Sequence, residues 1–286
     1  MNSRSRLPKA LMNKRVLAIH DLSGVGNTSL MAIIPLMYRF GLKVCALPTS
    51  LLSANTCYEG YRLLDTRDFM QQCLDHWQQL NLKFAAIYSG FLASSAEVDI
   101  VLSAIARFAH PDCLIAIDPV MADNGELYGC FDESMIPATR RLIAKADIIF
   151  PNYTEACLLA GMDPCTDPDP ISLNELCHAL LDLGSKEVII TSVPAAQDSC
   201  EVLYLASKKA KPKHYPCKFI PAFYTGTGDI FSALMVAYRL RQVDIELAIP
   251  QAIELIHDAI ALSLKNKQPS AEGVNLEQIL CQPINR

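Results

Sequence analysis

The feature that most constrains the fold is an alternation of two hydrophobic periods along the chain. Short apolar or β-branched runs at residues 15–20, 43–48, 84–88, 113–117, 148–150, 188–191 and 202–206 read as strands. Between them, residues 27–40, 66–80, 96–110, 137–146, 152–159 and 173–183 repeat Leu, Ala and Ile at three- and four-residue intervals, the mark of amphipathic helices. Strands separated by helices pair through right-handed crossovers, which predicts an α/β fold: a mostly parallel central sheet with helices on both faces. One domain is expected over residues 15–286, after a disordered extension at 1–14. The Pro-rich stretch at 165–170 and the basic turn at 208–213 are too short to be flexible linkers.

Charge and cysteine usage narrow the function. Thirty acidic against 25 basic residues leave a net charge of -5, so no overall positive field gathers nucleic acid. The 11 cysteines are odd in number and contain no C-x-x-C spacing, so they read as buried thiols of a reducing cytoplasm. After the basic start, only residues 16–19 are apolar before His20 and Asp21, too short for a signal-peptide core. No uncharged apolar stretch of about 18 residues is present, so no membrane-spanning helix is expected.

In sheets of this kind ligands collect at the carboxyl ends of the strands, so the loops there carry the candidates. The sharpest is Gly226, Thr227, Gly228 and Asp229, a glycine-rich turn opening a helical pattern at 230–238. Free N–H groups and the positive dipole end of a helix stabilise a phosphate, and glycine lets backbone approach it. An aspartate in that turn repels phosphate, so Asp229 reads either as a helix cap or as a base aimed at an attacking hydroxyl. Gly24 and Gly26 mark a tight turn, but Ser29 stands where a dinucleotide fingerprint needs Gly or Ala, and no acidic residue ends the next strand. No G-x-x-x-x-G-K-[ST] occurs.

Asp118 ends the strand at 113–117 and needs a partner there, a magnesium–phosphate complex or a hydrogen-bonded turn. Asn152 and Glu155 have the spacing of a reciprocal helix cap as well as of a ligand pair. The six histidines lack zinc-site spacing, and His20 alone lies beside a candidate loop. Lys208, Lys209, Lys211, Lys213 and Lys218 either touch nucleotide phosphates or form a solvated edge.

Taken in order, these motifs resemble the ribokinase-like superfamily of small-molecule kinases, and within it the pyridoxal (vitamin B6) kinases, from about Arg15 to Leu264. The segments carrying the resemblance are Gly226 to Asp229, Asp118 to Met121, Asn152 with Glu155, and Ser53 to Thr56, which is similar to the family's S-N-H-T segment. The resemblance implies that Asp229 is the catalytic base and that Gly226, Thr227 and Gly228 form the anion hole. It implies that Asp118 and Glu155 organise magnesium through water, and that Asp118, Asn152, Glu155, Thr191 and Thr227 bind ATP. Asp21, Ser23, Thr56, Phe91 and Asp229 fall where the family binds its pyridine ring and the hydroxymethyl group to be phosphorylated. It further implies MgATP as phosphoryl donor, a response to potassium and a homodimer, while cysteine usage, net charge and the lack of a long uncharged apolar run set the expectation of a cytoplasmic protein with no nucleic-acid or membrane partner.

Two departures bear on the substrate. The first loop is about three residues shorter than the family's and has Asp21 where the family has serine, while Leu51 and Leu52 replace the glutamine before S-N-H-T. This is similar to a bacterial branch, with pyridoxine or pyridoxamine as candidates over pyridoxal. Hydroxymethylpyrimidine kinase of thiamin biosynthesis and a non-catalytic B6-binding protein are the competing readings.

Overall fold

The computed structural model describes residues 14–195, 199–218 and 220–282. The strands, in chain order, are β1 (Arg15–Ser23), β2 (Lys43–Leu52), β3 (Leu63–Asp65), β4 (Ala86–Ser89), β5 (Leu114–Ile117), β6 (Ala122–Asp123), β7 (Glu126–Leu127), β8 (Ile148–Ile149), β9 (Glu187–Ala195), β10 (Ser199–Leu205) and β11 (Lys213–Pro216). The helices are α1 (Ser29–Arg39), α2 (Arg67–Gln79), α3 (Ser95–Phe108), α4 (Met135–Ile143), α5 (Tyr153–Ala160), α6 (Pro170–Asp182), α7 (Thr227–Leu240), α8 (Ile245–Lys265) and α9 (Leu276–Cys281).

Among the described residues, nine strands form one sheet in the order β11-β10-β9-β8-β5-β4-β1-β2-β3. The six from β2 to β9 are parallel, and β10, β11 and β3 join antiparallel at the edges. Side chains alternate between two apolar clusters: Val16 and Ala18 of β1 enter the one built with α1, α7, α8 and α9, while Leu17 and Ile19 enter the one built with α2 to α6. Burial on both faces is why these strands read as unbroken apolar runs.

The expected extension at 1–14 lies outside the described residues except for Lys14, whose Nζ donates to Leu240 O at 2.7 Å. Strands β3, β6, β7 and β11 and helices α8 and α9 were not expected. Helix α8 is, among the described residues, the one helix long and apolar enough to cross a membrane by length and composition, a correction to the expectation above. Glu254 and Asp258 interrupt its sequence, and a search for an uncharged run passes over it. It packs on α7 and α9, with Ile245, Ala248, Ile249, Ala252 and Ala259 buried. The cysteines also need correcting: all 11 are free thiols, yet only Cys113, Cys157 and Cys177 are buried.

The carboxyl ends of β1, β4, β5, β8 and β9 share one edge of the sheet, and the N-terminus of α7 is brought to it. The hairpin of β6 and β7 turns through Asn124 (φ 52°) and Gly125 (φ 88°), the left-handed pair that a two-residue turn requires, and caps this edge. The lysine-bearing turn between β10 and β11 lies at the opposite end, because Leu205 pairs with Val188 at the start of β9. There Lys208 pairs with Asp182 at 2.5 Å and Lys213 with Glu246, so these lysines form a solvated edge, and only Lys218 reaches a cavity near the site.

Candidate active site

At the carboxyl edge the sheet opens into a cleft of about 720 Å³. Every residue to which the family resemblance assigns a role lines it: Asp21, Ser23, Thr56 and Phe91 on one side, Asp118, Asn152, Glu155 and Thr191 on the other, and Gly226, Thr227, Gly228 and Asp229 between.

The turn before α7 is built for close approach. Gly226 has φ 79°, and a Cβ there would lie 2.6 Å from Asn27 O, so only glycine fits. Around Gly228, by contrast, a Cβ would meet nothing within 4 Å, because that face is open to the cleft. The N–H groups of Thr227, Gly228 and Asp229 have no acceptor among the described residues, and Ile230 is the first to bond back, to Gly226 O at 3.0 Å. Three free donors at a positive helix end make an anion site. The buried Thr28 Oγ1, also in the cleft wall, likewise has no partner among the described residues.

Asp229 is fixed from two directions. Its Oδ2 accepts from the Ser29 N–H at 2.7 Å, and its Oδ1 lies 3.1 Å from His20 Nε2. Ser29 holds φ 52°, a left-handed backbone that turns its N–H onto the carboxylate. His20, within β1 just before its register shift against β2, is buried, and its Nδ1 lies 2.7 Å from Asp21 Oδ1, while Ser23 Oγ donates to Asp21 Oδ2 at 3.1 Å. Burial acts to strip the ring of its proton, but Asp229 and then Asp21 outweigh it and hold the His20 pKa up at about 10. Burial would raise the Asp21 pKa, and the bond and charge of His20 overcome this and lower it.

Asp118 lies at the end of β5, buried, and its Oδ2 accepts from Ser232 Oγ at 2.7 Å. Its other oxygen has no donor among the described residues. Burial, and next the charge of Asp229, push its pKa up to about 7. Glu155 is raised well above the usual carboxylate range, first by burial and then by Asp118. The helix-cap reading of Asn152 and Glu155 is realised: Asn152 Oδ1 accepts from Glu155 N at 2.9 Å, and Glu155 Oε2 accepts from Asn152 N at 2.8 Å. Glu155 Oε1 also accepts from Met121 N at 3.0 Å, and Asn152 Nδ2 donates to Ala122 O at 2.7 Å, so the pair anchors the β6–β7 hairpin. Among the described residues no three His, Cys, Asp or Glu side chains make a metal cage of their own.

On the other side, Phe91 packs against Phe131 with ring centroids 5.6 Å apart. Thr56 is exposed within the cleft, whereas its neighbour Asn55 is buried and donates to Ala271 O at 2.6 Å, tying the loop down. Gly24 and Gly26 serve this packing and not a ligand: Cβ atoms there would lie 2.9 Å from Ser53 O and 2.4 Å from Asn55 Nδ2. A second cavity of about 370 Å³ continues from the cleft past Thr227 and Gly228, walled by Val202, Phe231, Ile253, Ile256 and Ile260. Neither this cavity nor the part played by His20 was read from the sequence. The strand-end position of His20 was the one available signal, and the α8 isoleucines look like any core residues.

The sequence profile of the phosphomethylpyrimidine kinase family matches residues 37–273. The pyridoxal kinase PdxY of Corynebacterium diphtheriae is 30% identical over 82% of this chain and 83% of its own length. The chain belongs to the phosphomethylpyrimidine kinase family, on its pyridoxal kinase branch. A Bacteroides thetaiotaomicron protein described as a phosphomethylpyrimidine kinase, crystallised with pyridoxal, is 36% identical and superposes with a TM-score of 0.90 over 96% of this chain and 97% of that one. The pyridoxal kinase of Lactobacillus plantarum is 30% identical, with a TM-score of 0.86 over 94% and 95% of the two chains. Membership of this family carries the α/β ribokinase-like fold and makes the protein a phosphotransferase with an alcohol acceptor, as the motifs implied.

Proposed function

We propose that the protein transfers the γ-phosphoryl group of ATP to the hydroxymethyl oxygen of a vitamin B6 vitamer, pyridoxal, pyridoxine or pyridoxamine, giving the 5'-phosphate. One observation carries this reading: Asp229 stands in the first turn of a helix whose first three N–H groups have no acceptor among the described residues, and it lines the same cleft as the ring-binding side. The ring lies along Asp21, Ser23, Thr56 and Phe91, with its hydroxymethyl oxygen at Asp229. As that oxygen bonds to phosphorus in line with the departing ADP oxygen, Asp229 takes its proton, and the N–H groups of 227–229 meet the charge on the transferring group. The nucleoside base lies in the apolar second cavity, and the triphosphate passes Thr191, Asn152 and Thr227.

Magnesium fits the donor set. Buried carboxylates that raise one another's pKa call for positive charge, and Asp118 keeps one oxygen without a protein donor. Asp118 would hold the ion, and Glu155, with both oxygens engaged by backbone, would act through water. Bound there, the ion neutralises phosphate oxygens. Potassium dependence belongs to the same reading, as does a homodimer, for which the exposed Leu63 (48%) and Leu64 (60%) of edge strand β3 supply apolar surface.

The pyridoxal kinase relatives, and the pyridoxal held by the Bacteroides protein, favour a B6 vitamer over hydroxymethylpyrimidine. Coupled ATP turnover with magnesium and potassium, run in parallel on the three vitamers and hydroxymethylpyrimidine, tests this. Fastest turnover on a B6 vitamer is expected. A preference for the pyrimidine, or no turnover of any of them, overturns the reading.

A further inference from the structure

His20 has no role in the motifs that define the site, yet it is the residue that touches both of its halves. Its Nδ1 lies 2.7 Å from Asp21 Oδ1 and its Nε2 lies 3.1 Å from Asp229 Oδ1. A neutral imidazole has one N–H and would aim a lone pair at one of these carboxylates, whereas an imidazolium donates to both. The backbone N–H groups of Asp21 and Phe91 also point at the same two nitrogens, at 3.0 and 3.3 Å, and would donate to a ring nitrogen that carried a lone pair; at each nitrogen the carboxylate oxygen is nearer, so a ring proton there is held by the carboxylate and the backbone N–H makes no bond to it. The fold makes room for the ring in one place. A Cβ on Gly90 would lie 2.0 Å from His20 Cδ2 and 2.2 Å from Nε2, so glycine at the end of β4 is a condition for the ring's position. The charged groups facing this pair are Asp21 from β1 and Asp118 from the end of β5, with the Tyr88 hydroxyl of β4 behind them.

We infer that His20 is a positioning residue for phosphoryl transfer: an imidazolium clamped between Asp21 and Asp229, it fixes the base carboxylate relative to the ring-binding side of the cleft. The bond geometry supports this directly. With Ser29 N–H on one oxygen and His20 on the other, the Asp229 carboxylate is held in one orientation at the cleft wall. The same cation offsets part of the negative charge of Asp21, Asp118 and Asp229, which a triphosphate would otherwise meet unscreened. The inference rests on the kinase reading for its turnover test but not for its spectroscopic one.

Two replacements separate positioning from mere filling of space. His20→Gln carries an amide to the place of Nε2 and keeps the Asp229 contact, whereas His20→Asn ends near Nδ1 and keeps only the Asp21 contact. The expected result, at matched thermal stability, is a kcat loss on the order of 10²-fold in His20→Asn, with KM for ATP within about twofold and with partial rescue in His20→Gln. Equal kcat in the two variants and the wild type overturns the inference while leaving the kinase reading intact. If a variant does not fold, nitrogen-15 NMR of the ligand-free wild type decides. Both ring nitrogens of His20 are expected to carry protons at pH 8, and a neutral ring at that pH overturns the inference whether or not any vitamer is phosphorylated.

Discussion

Gly226 and Gly228 stand two residues apart in the same turn, and alanine at the two positions is expected to do opposite things. At Gly226 the left-handed backbone (φ 79°) costs a Cβ-bearing residue about 1–2 kcal/mol. The new Cβ would also press on Asn27 O at 2.6 Å and Thr28 Cγ2 at 2.9 Å, an overpacking of about 1–3 kcal/mol. Gly226→Ala should therefore lose roughly 2–5 kcal/mol in urea unfolding, a fall of several degrees in Tm. At Gly228 the Cβ meets nothing within 4 Å, and the residue is in the first turn of α7, where alanine is the better helix former. Gly228→Ala should be as stable as the wild type, or more so by up to about 1 kcal/mol. Its methyl, however, occupies the open face where phosphoryl oxygens would reach the free N–H groups. Turnover should fall by about 10²-fold or more, the scale of losing one donor to a developing charge. Full activity in Gly228→Ala, or unchanged stability in Gly226→Ala, would refute the account of this turn as half packing and half anion site.

Three further outcomes are expected. Gly90→Ala should displace the His20 ring, costing about 1–3 kcal/mol of stability from overpacking and most of the activity, and a crystal structure with His20 unmoved would contradict this. Asn152→Ala should lose about 1 kcal/mol from the α5 cap and loosen the β6–β7 hairpin, read by urea unfolding and by faster amide exchange at Met121 and Ala122. Ligand-free stability should fall as pH rises. His20, raised from 6.5 to about 10, contributes stability that is full below pH 6.5 and lost as pH climbs through 10. Glu97, raised by burial from 4.5 to about 7, adds a loss of the same sign between those values. His20→Gln should flatten only the upper limb of urea-unfolding free energy against pH.

Much of this was legible in the sequence, for physical reasons. Parallel strands buried on both faces leave unbroken apolar runs, so β1, β4, β5 and β9 could be placed to within a few residues; the strand-end loops gave Asp118 and Asp229, and the family resemblance gave Asp21. What was not legible is what depends on position in space. The short strands β3, β6 and β7 owe their pairing to tertiary contacts and too few residues show a period. Helix α8 hides behind Glu254 and Asp258, and with it the apolar second cavity. Glu155 was visible as a cap or a ligand, and the structure adds that its carboxylate also anchors a hairpin. His20 lies in a strand and looks like part of it until the fold brings Asp229, 209 residues away, against its ring.

The central claim is that Asp229 takes the proton of the hydroxyl being phosphorylated, and the most direct measurement pairs the turnover of Asp229→Ala with its ATP affinity by calorimetry. The account predicts a kcat lower by about 10²–10⁴-fold with ATP binding largely intact. Turnover near that of the wild type would contradict it.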